Sequence, residues 1–298
     1  MGSLADSPGA GFPSPQRLLS EYGLTPKHSF GQNFLADQNL TAKIAALAQP
    51  QAGDRVLELG AGLGALTNQL LRAGARVTAV ERDRDLLPVL GEVFAQALAQ
   101  DTLRLLEADA KSLDWVAAMR GSSHAESAPW VLTGNLPYQI TGPLIEKAVG
   151  SARHIKRAVF LVQKEVADRL AAQPGSKSYG LLSVFTQAQF VCRRAFVIRP
   201  SAFVPKPRVD SAVIVLDPLA TPVCEETGDF RTLVKSAFAA RRKTLRNAWK
   251  SVLPAEQLRK MADECSISLD ARGETLSVQK FAHAAQVLSS LRATEESA

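Results

Sequence analysis

The stretch that most limits the fold is Arg55-Val56-Leu57-Glu58-Leu59-Gly60-Ala61-Gly62-Leu63-Gly64-Ala65. An aliphatic run ends in spaced glycines, and the pattern after them, from Leu66 to Arg72, is helical. Strand, tight glycine turn and helix in that order suit an open α/β sheet. Backbone N–H groups gather at the helix start, and the glycines let a ligand approach them. Arg76-Val77-Thr78-Ala79-Val80 reads as a second strand closed by Glu81. A carboxylate there can accept both hydroxyls of a ribose. Gly60, Gly62 and Ala65, with an acid about twenty residues on, equally fit a dinucleotide-binding fold. This half of the pattern leaves both ligand classes open.

The next two strands separate them. Leu103 to Ala108 predicts a third strand ending at Asp109, an acid that can accept the N6 amino group of an adenine. Trp130 to Thr133 predicts a fourth. Gly134 turns the backbone and Pro137 stops the strand, so Asn135 and Tyr138 stand at a strand's carboxyl end, where open sheets bind ligands. Gly60 and Gly62 beside an amino-acid part, Glu81 on a ribose and Asp109 on an adenine suit S-adenosyl-L-methionine. Asn135-Leu136-Pro137-Tyr138 suits methylation of an exocyclic amino nitrogen, whose lone pair is delocalised into the base. The Asn135 side-chain oxygen and the Leu136 carbonyl can accept both N–H bonds and free that lone pair. Tyr138 offers a stacking face. Glu58 either orients the glycine loop or is a strand-end acid satisfied by backbone.

Length and charge set outer bounds. A chain of 298 residues that is 46% hydrophobic predicts one large domain, or one large domain plus a small one. No apolar run reaches the length of a membrane span, and the start lacks a basic-then-apolar leader, so a cytoplasmic location is expected. A net charge of +6 suggests a polyanionic partner. Cys192, Cys224 and Cys265 lie far apart, which fits neither a metal site nor a disulfide framework.

Three segments are expected. Residues 1–25 form a flexible arm, low in complexity at its start, with a short helix near Gln16 to Tyr22. Residues 26–217 form the catalytic domain. It opens with a mixed loop, Pro26 to Leu35, expected as a site wall, with His28 on its surface. The polar stretch Gly121 to Pro129, with His124 and Glu126, reads as a surface insertion. Cys192 to Ile198 and Ala212 to Leu216 read as a strand pair. Between them, Phe203 sits in a proline-stiffened loop beside Lys206 and Arg208, where it can close the other face of a base stacked on Tyr138. Residues 218–298 read as helices only. One helix, Phe230 to Lys250, carries Arg241, Arg242, Lys243 and Arg246, a cluster expected to contact nucleic acid.

Four segments occur in order: Gly31-Gln32-Asn33-Phe34-Leu35, Glu58-Leu59-Gly60-Ala61-Gly62, Gly134-Asn135-Leu136-Pro137-Tyr138, and Phe203-Val204-Pro205-Lys206-Pro207-Arg208-Val209-Asp210-Ser211. From about Pro26 to Val287 the chain resembles the ribosomal RNA adenine dimethyltransferases of the KsgA (RsmA) type. The resemblance implies a class I methyltransferase fold, a seven-stranded mostly parallel sheet with a helical C-terminal domain, and S-adenosyl-L-methionine as cofactor. It implies that Asn33 and Leu35 line the methionine end of the cofactor, with Gly60, Gly62, Glu81, Asp109 and Asn135 completing its site. Asn135, Leu136 and Tyr138 would hold the target base, with Phe203 as its second stacking partner. The implied substrate is a pair of adjacent adenosines in a hairpin loop near the 3′ end of 16S ribosomal RNA, within an immature small subunit, each receiving two methyl groups on N6.

A monomer is expected, since no exposed apolar stripe stands out. Rival readings are a large-subunit methyltransferase of the macrolide-resistance type and a non-catalytic assembly factor on the same fold. A DNA adenine methyltransferase lacks its duplex-recognition region here, and a dehydrogenase lacks its hydride-transfer pocket.

Overall fold

A computed structural model of the chain describes residues 11–120, 128–240 and 242–296, with side chains described to residue 293. His124, Glu126 and Arg241 lie outside the described residues. The chain divides into two compact units. One gathers the residues up to 167 with 193–217, and the other gathers 168–192 with 218–298. The single cut expected at 217 differs from this division.

The strands are β1 (Phe34–Leu35), β2 (Arg55–Leu59), β3 (Arg76–Glu81), β4 (Leu103–Glu107), β5 (Trp130–Asn135), β6 (Ile155–Gln163), β7 (Phe190–Ile198), β8 (Phe203–Val204) and β9 (Ser211–Pro218), all in the first unit except the start of β7 and the last residue of β9. Seven of them form one sheet in the order β4-β3-β2-β5-β6-β9-β7. β4, β3, β2, β5 and β6 run parallel, and β9 is antiparallel to β6. Val56, Leu57, Val131, Leu132, Phe160 and Ile214 are all buried, as expected for strands covered on both faces. The order reverses between β2 and β5, and that reversal opens the crevice in which such sheets bind ligands. β1 and β8 form a separate two-stranded ladder, Leu35 opposite Phe203.

Helices α1 (Pro15–Glu21), α2 (Gln38–Ala48), α3 (Ala65–Arg72), α4 (Leu87–Val93), α5 (Ala95–Ala99), α6 (Trp115–Met119) and α7 (Thr141–Gly150) complete the unit. Asp37 caps α2, its Oδ1 accepting from Asn39 N at 2.9 Å and Leu40 N at 3.1 Å. The flexible arm expected over residues 1–25 needs correction from Phe12 onward. Phe12 and Pro13 are buried, the Phe12 ring stacks on Phe94 at 5.9 Å, and Gln38 Nε2 donates to the Phe12 carbonyl. Ser14 caps α1, whose Leu18 and Leu19 are buried. Four apolar side chains with a core to enter outweigh the low-complexity composition around them.

α8 (Lys164–Leu170) spans the junction. The second unit holds α9 (Leu181–Gln187), α10 (Gly228–Phe238), α11 (Leu245–Trp249), α12 (Ala255–Glu264) and α13 (Val278–Glu296). Its core contains Phe185, Phe230, Leu233, Trp249 and Phe281. α9 belongs here because Phe185 meets Phe230 edge-on at 5.8 Å and Val223 N donates to Ala188 O at 2.9 Å. The long helix expected over Phe230 to Lys250 is two helices with a turn between. The first N–H groups of α11 go elsewhere: Leu245 N donates to Ala271 O and Arg246 N to Leu269 O, each at 2.8 Å. These bonds take the place of helical continuation. They let Leu233 and Trp249 face one core, with Trp249 Nε1 bonded to Leu233 O at 2.9 Å.

Candidate active site

The glycine loop leaves β2 with Gly60 at φ +76° and Gly62 at φ +57°, a left-handed backbone that side chains disfavour. Gly60 N and Ala61 N both donate to Val80 O, at 2.8 and 3.1 Å, which folds the loop back over the end of β3. Gly62 N donates to Glu81 Oε2 at 2.8 Å, and Asp83 N donates to Glu81 Oε1 at 2.8 Å. Each carboxylate oxygen keeps lone-pair capacity toward the cavity. Burial raises the Glu81 pKa, against the hydrogen bonds from Asp83, Gly62 and Arg82.

Behind the loop, Glu58 is 1% exposed, and Thr67 Oγ1 donates to its Oε2 at 2.6 Å. Burial, with Glu81 beside it, lifts its pKa from 4.5 to about 8, against the Thr67 hydrogen bond. Glu58 therefore ties β2 to α3 through Thr67, the two elements that the glycine loop connects.

The loop before β1 is clamped to the end of β3. Lys27 Nζ reaches Asp83 at 2.5 Å and Asp85 at 2.6 Å, and Gln32 Nε2 donates to Asp83 Oδ2 at 2.7 Å. Gln32 Oε1 in turn accepts from Lys27 N at 2.7 Å. Burial pushes the Asp83 carboxyl up, but Lys27 and Gln32 hold it below its ordinary range. Phe30 lies beneath the Arg82 guanidinium at 5.1 Å, and Arg82 pairs with Asp109 at 3.4 Å. Asp109 Oδ1 also accepts from Lys111 N at 2.9 Å.

Opposite these acids lies the turn after β5. Gly134 is required by close approach: a Cβ there would sit 2.3 Å from the Leu59 carbonyl oxygen. Asn135 Nδ2 donates to Asn33 O at 2.8 Å, which leaves its Oδ1 as the free end of the amide. Leu136 N donates to Leu161 O at 3.0 Å, and its carbonyl accepts no bond among the described residues. Tyr138 is partly exposed, and its hydroxyl meets Ser211 Oγ at 2.6 Å.

Asn33, Leu35, Gly60, Gly62, Glu81, Asp109, Asn135, Leu136 and Tyr138 all line one cavity. The donor and acceptor set fits S-adenosyl-L-methionine. Glycine backbone follows β2, Glu81 ends β3 and Asp109 follows β4, so backbone N–H groups and two acids lie on adjacent strand ends. Phe203 departs from expectation. It is 1% exposed and lies in the core, outside the cavity lining, because the β1–β8 ladder turns its ring inward. Its ring face is closed to a base in this conformation. Lys206 and Arg208 are exposed on the first unit. On the second, Arg242 and Lys243 are exposed in the turn between α10 and α11, and Arg246 is exposed but paired with Asp270 at 3.1 Å. The cavity wall also contains Phe12, Pro13 and Pro15, which composition hid. Ser211, the last residue of the four ordered segments, lies outside the lining and meets the site through the Tyr138 hydroxyl.

The family described as Ribosomal RNA adenine dimethylase matches residues 23–290. A protein of Anaeromyxobacter dehalogenans (strain 2CP-C) named Ribosomal RNA small subunit methyltransferase A is 47% identical over 281 residues, covering 91% of this chain and 96% of that one. One of the same name from Geobacter sulfurreducens is 40% identical over 266 residues, covering 87% and 94%. Among solved structures, a dimethyladenosine transferase from Plasmodium falciparum superposes with a TM-score of 0.66 at 24% identity, covering 84% of this chain and 95% of that one. The 23S rRNA methyltransferase ErmE does so at 0.64 and 22%, covering 86% and 99%. At these identities the two structures establish the fold: a mostly parallel sheet with flanking helices.

Proposed function

Because the chain belongs to the ribosomal RNA adenine dimethylase family, we propose that it places two methyl groups on N6 of each of two adjacent adenosines near the 3′ end of 16S ribosomal RNA. It is an S-adenosyl-L-methionine-dependent ribosomal RNA adenine methyltransferase, and the small subunit is its substrate. The finer reading is dimethylation on an immature subunit, by a monomer in the cytoplasm. No described helix is long and apolar enough to cross a membrane.

The observation that carries the reading is the direction of the Asn135 amide. With Nδ2 held by Asn33 O, Oδ1 is left to accept from the N6 amino group, and the open carbonyl of Leu136 accepts the second N–H. Two acceptors pull the nitrogen toward a pyramidal geometry and concentrate its lone pair, the charge development such sites stabilise. Tyr138 supplies the stacking face for a base swung out of its loop. The cofactor supplies an electrophilic methyl group. Glu81 and Asp109 hold its ribose and adenine, and Asn33, Leu35, Gly60 and Gly62 shape the methionine end. The methylated nitrogen becomes cationic and sheds its proton to solvent, so no strong base is required. Lys206 and Arg208 on one unit, and Arg242, Lys243 and Arg246 on the other, meet RNA phosphates.

The test is transfer of labelled methyl from S-adenosyl-L-methionine to small subunits lacking the modification, followed by nucleoside analysis. Dimethyladenosine in the small-subunit RNA is expected. Label in large-subunit RNA instead would replace this reading with the resistance-enzyme one. Subunit binding without transfer would favour an assembly factor.

A further inference from the structure

Tyr138 follows Pro137 in a single 3₁₀ turn, Tyr138–Ile140, that lines the cavity. Its ring is partly exposed, so one side of it is open to a ligand. Its hydroxyl, however, meets Ser211 Oγ at 2.6 Å. Ser211 is fully buried at the start of β9 and pairs with Gln163 in the antiparallel β6–β9 ladder. The preceding residue is also pinned, Lys164 N donating to Asp210 O at 2.9 Å. The anchor is therefore a rigid point of the central sheet, and Ser211 itself lies outside the cavity lining.

We propose that Ser211 is a positioning residue for methyl transfer, holding the Tyr138 ring by its hydroxyl in the plane on which the target adenine stacks. This rests on the reading of Tyr138 as the stacking face. A ring held at both its backbone end and its far end has already lost the rotamer freedom that binding a base would otherwise remove. It also fixes the height of the base relative to Asn135 Oδ1, and a misplacement near 1 Å is enough to slow such a reaction heavily. A bond that only satisfies two buried polar groups would stabilise the fold and leave the chemistry alone.

A double-mutant cycle on small subunits lacking the modification separates these roles. Ser211→Ala and Tyr138→Phe each remove one hydroxyl and keep the ring. Each is expected to lower kcat roughly tenfold with the dissociation constant for S-adenosylhomocysteine unchanged. The double variant is expected to be no slower than either single one. Ser211→Thr, which keeps the hydroxyl, is expected to restore most of kcat. Additive losses, or normal kcat in Ser211→Ala, would overturn the proposal. If Ser211→Ala does not fold, Tyr138→Phe decides alone: unchanged kcat overturns the proposal and a loss supports it. Tyr138→Ala reports on the underlying reading, and its full activity would remove the stacking face and the proposal together.

Discussion

The side-chain amide of Asn135 donates to the backbone carbonyl of Asn33 at 2.8 Å, joining two loops that both line the cavity. One bond therefore aims the acceptor oxygen and closes the cofactor segment. Asn135→Ala removes the acceptor and is expected to cost roughly 10²-fold or more in single-turnover rate. Cofactor affinity falls only a few-fold, since the glycine loop, Glu81 and Asp109 are untouched. Calorimetric titration with S-adenosylhomocysteine beside a single-turnover assay measures both. Near-normal turnover would remove Asn135 from the chemistry.

Glu58 makes stability depend on pH in a direction opposite to most carboxylates. Its pKa is raised from 4.5 to about 8 by burial and by Glu81. Between those values the folded protein binds a proton that the unfolded chain does not. Stability therefore falls as pH rises through that window and levels off above it. Glu58→Gln removes the titration and keeps the shape. Subtracting its melting curve from that of the wild type across pH 5 to 9 isolates the slope. Parallel curves would show that Glu58 is ionised in the fold throughout.

The two ends of the Lys27–Asp83 pair differ in exposure, 34% against 2%, and their loss should differ accordingly. Lys27→Met leaves a buried carboxylate with Gln32 and one backbone N–H. Asp83→Asn leaves a lysine that still reaches Asp85 at 2.6 Å and water. The lysine variant is expected to be the less stable of the two, because it strands the buried carboxylate. Chemical denaturation of both variants gives the order, and the reverse order would mean that solvent already screens the pair.

Much of the site was legible because it is made of strand ends. Glu81, Asp109 and Asn135 each follow an apolar run, and strand alternation with glycine spacing places such residues on one edge of a sheet before any tertiary contact is known. Phe203 and Phe12 were not legible for the converse reason. The inward turn of Phe203 comes from pairing with Leu35, far away in the chain, and Phe12 is ordered by Phe94 and Gln38. Neither partner leaves a local mark. The break between α10 and α11 is similar, since the carbonyls that hold the start of α11 come from Leu269 and Ala271.

Gly134 is where the fold and the site share one atom's worth of space. It lies between Thr133, which pairs with Glu58 across β2 and β5, and Asn135. A methyl group at Gly134 would sit 2.3 Å from Leu59 O, 3.2 Å from its carbonyl carbon and 3.2 Å from its nitrogen. All three are backbone atoms, so relief requires β2 and β5 to separate at the end that carries the glycine loop on one side and the base-binding turn on the other. Gly134→Ala is expected to destabilise the protein by about 1–3 kcal/mol. Even well below its melting temperature it should weaken S-adenosylhomocysteine binding, because Gly60 and Asn135 move apart. Gly142→Ala, in α7 with nothing within 4 Å, is the matched control. A methyl there is expected to be neutral or to stabilise by about 0.5–1 kcal/mol. Thermal melts of the two variants with and without ligand make the comparison. If Gly134→Ala melts and binds like Gly142→Ala, the strands have room that the Leu59 contact denies.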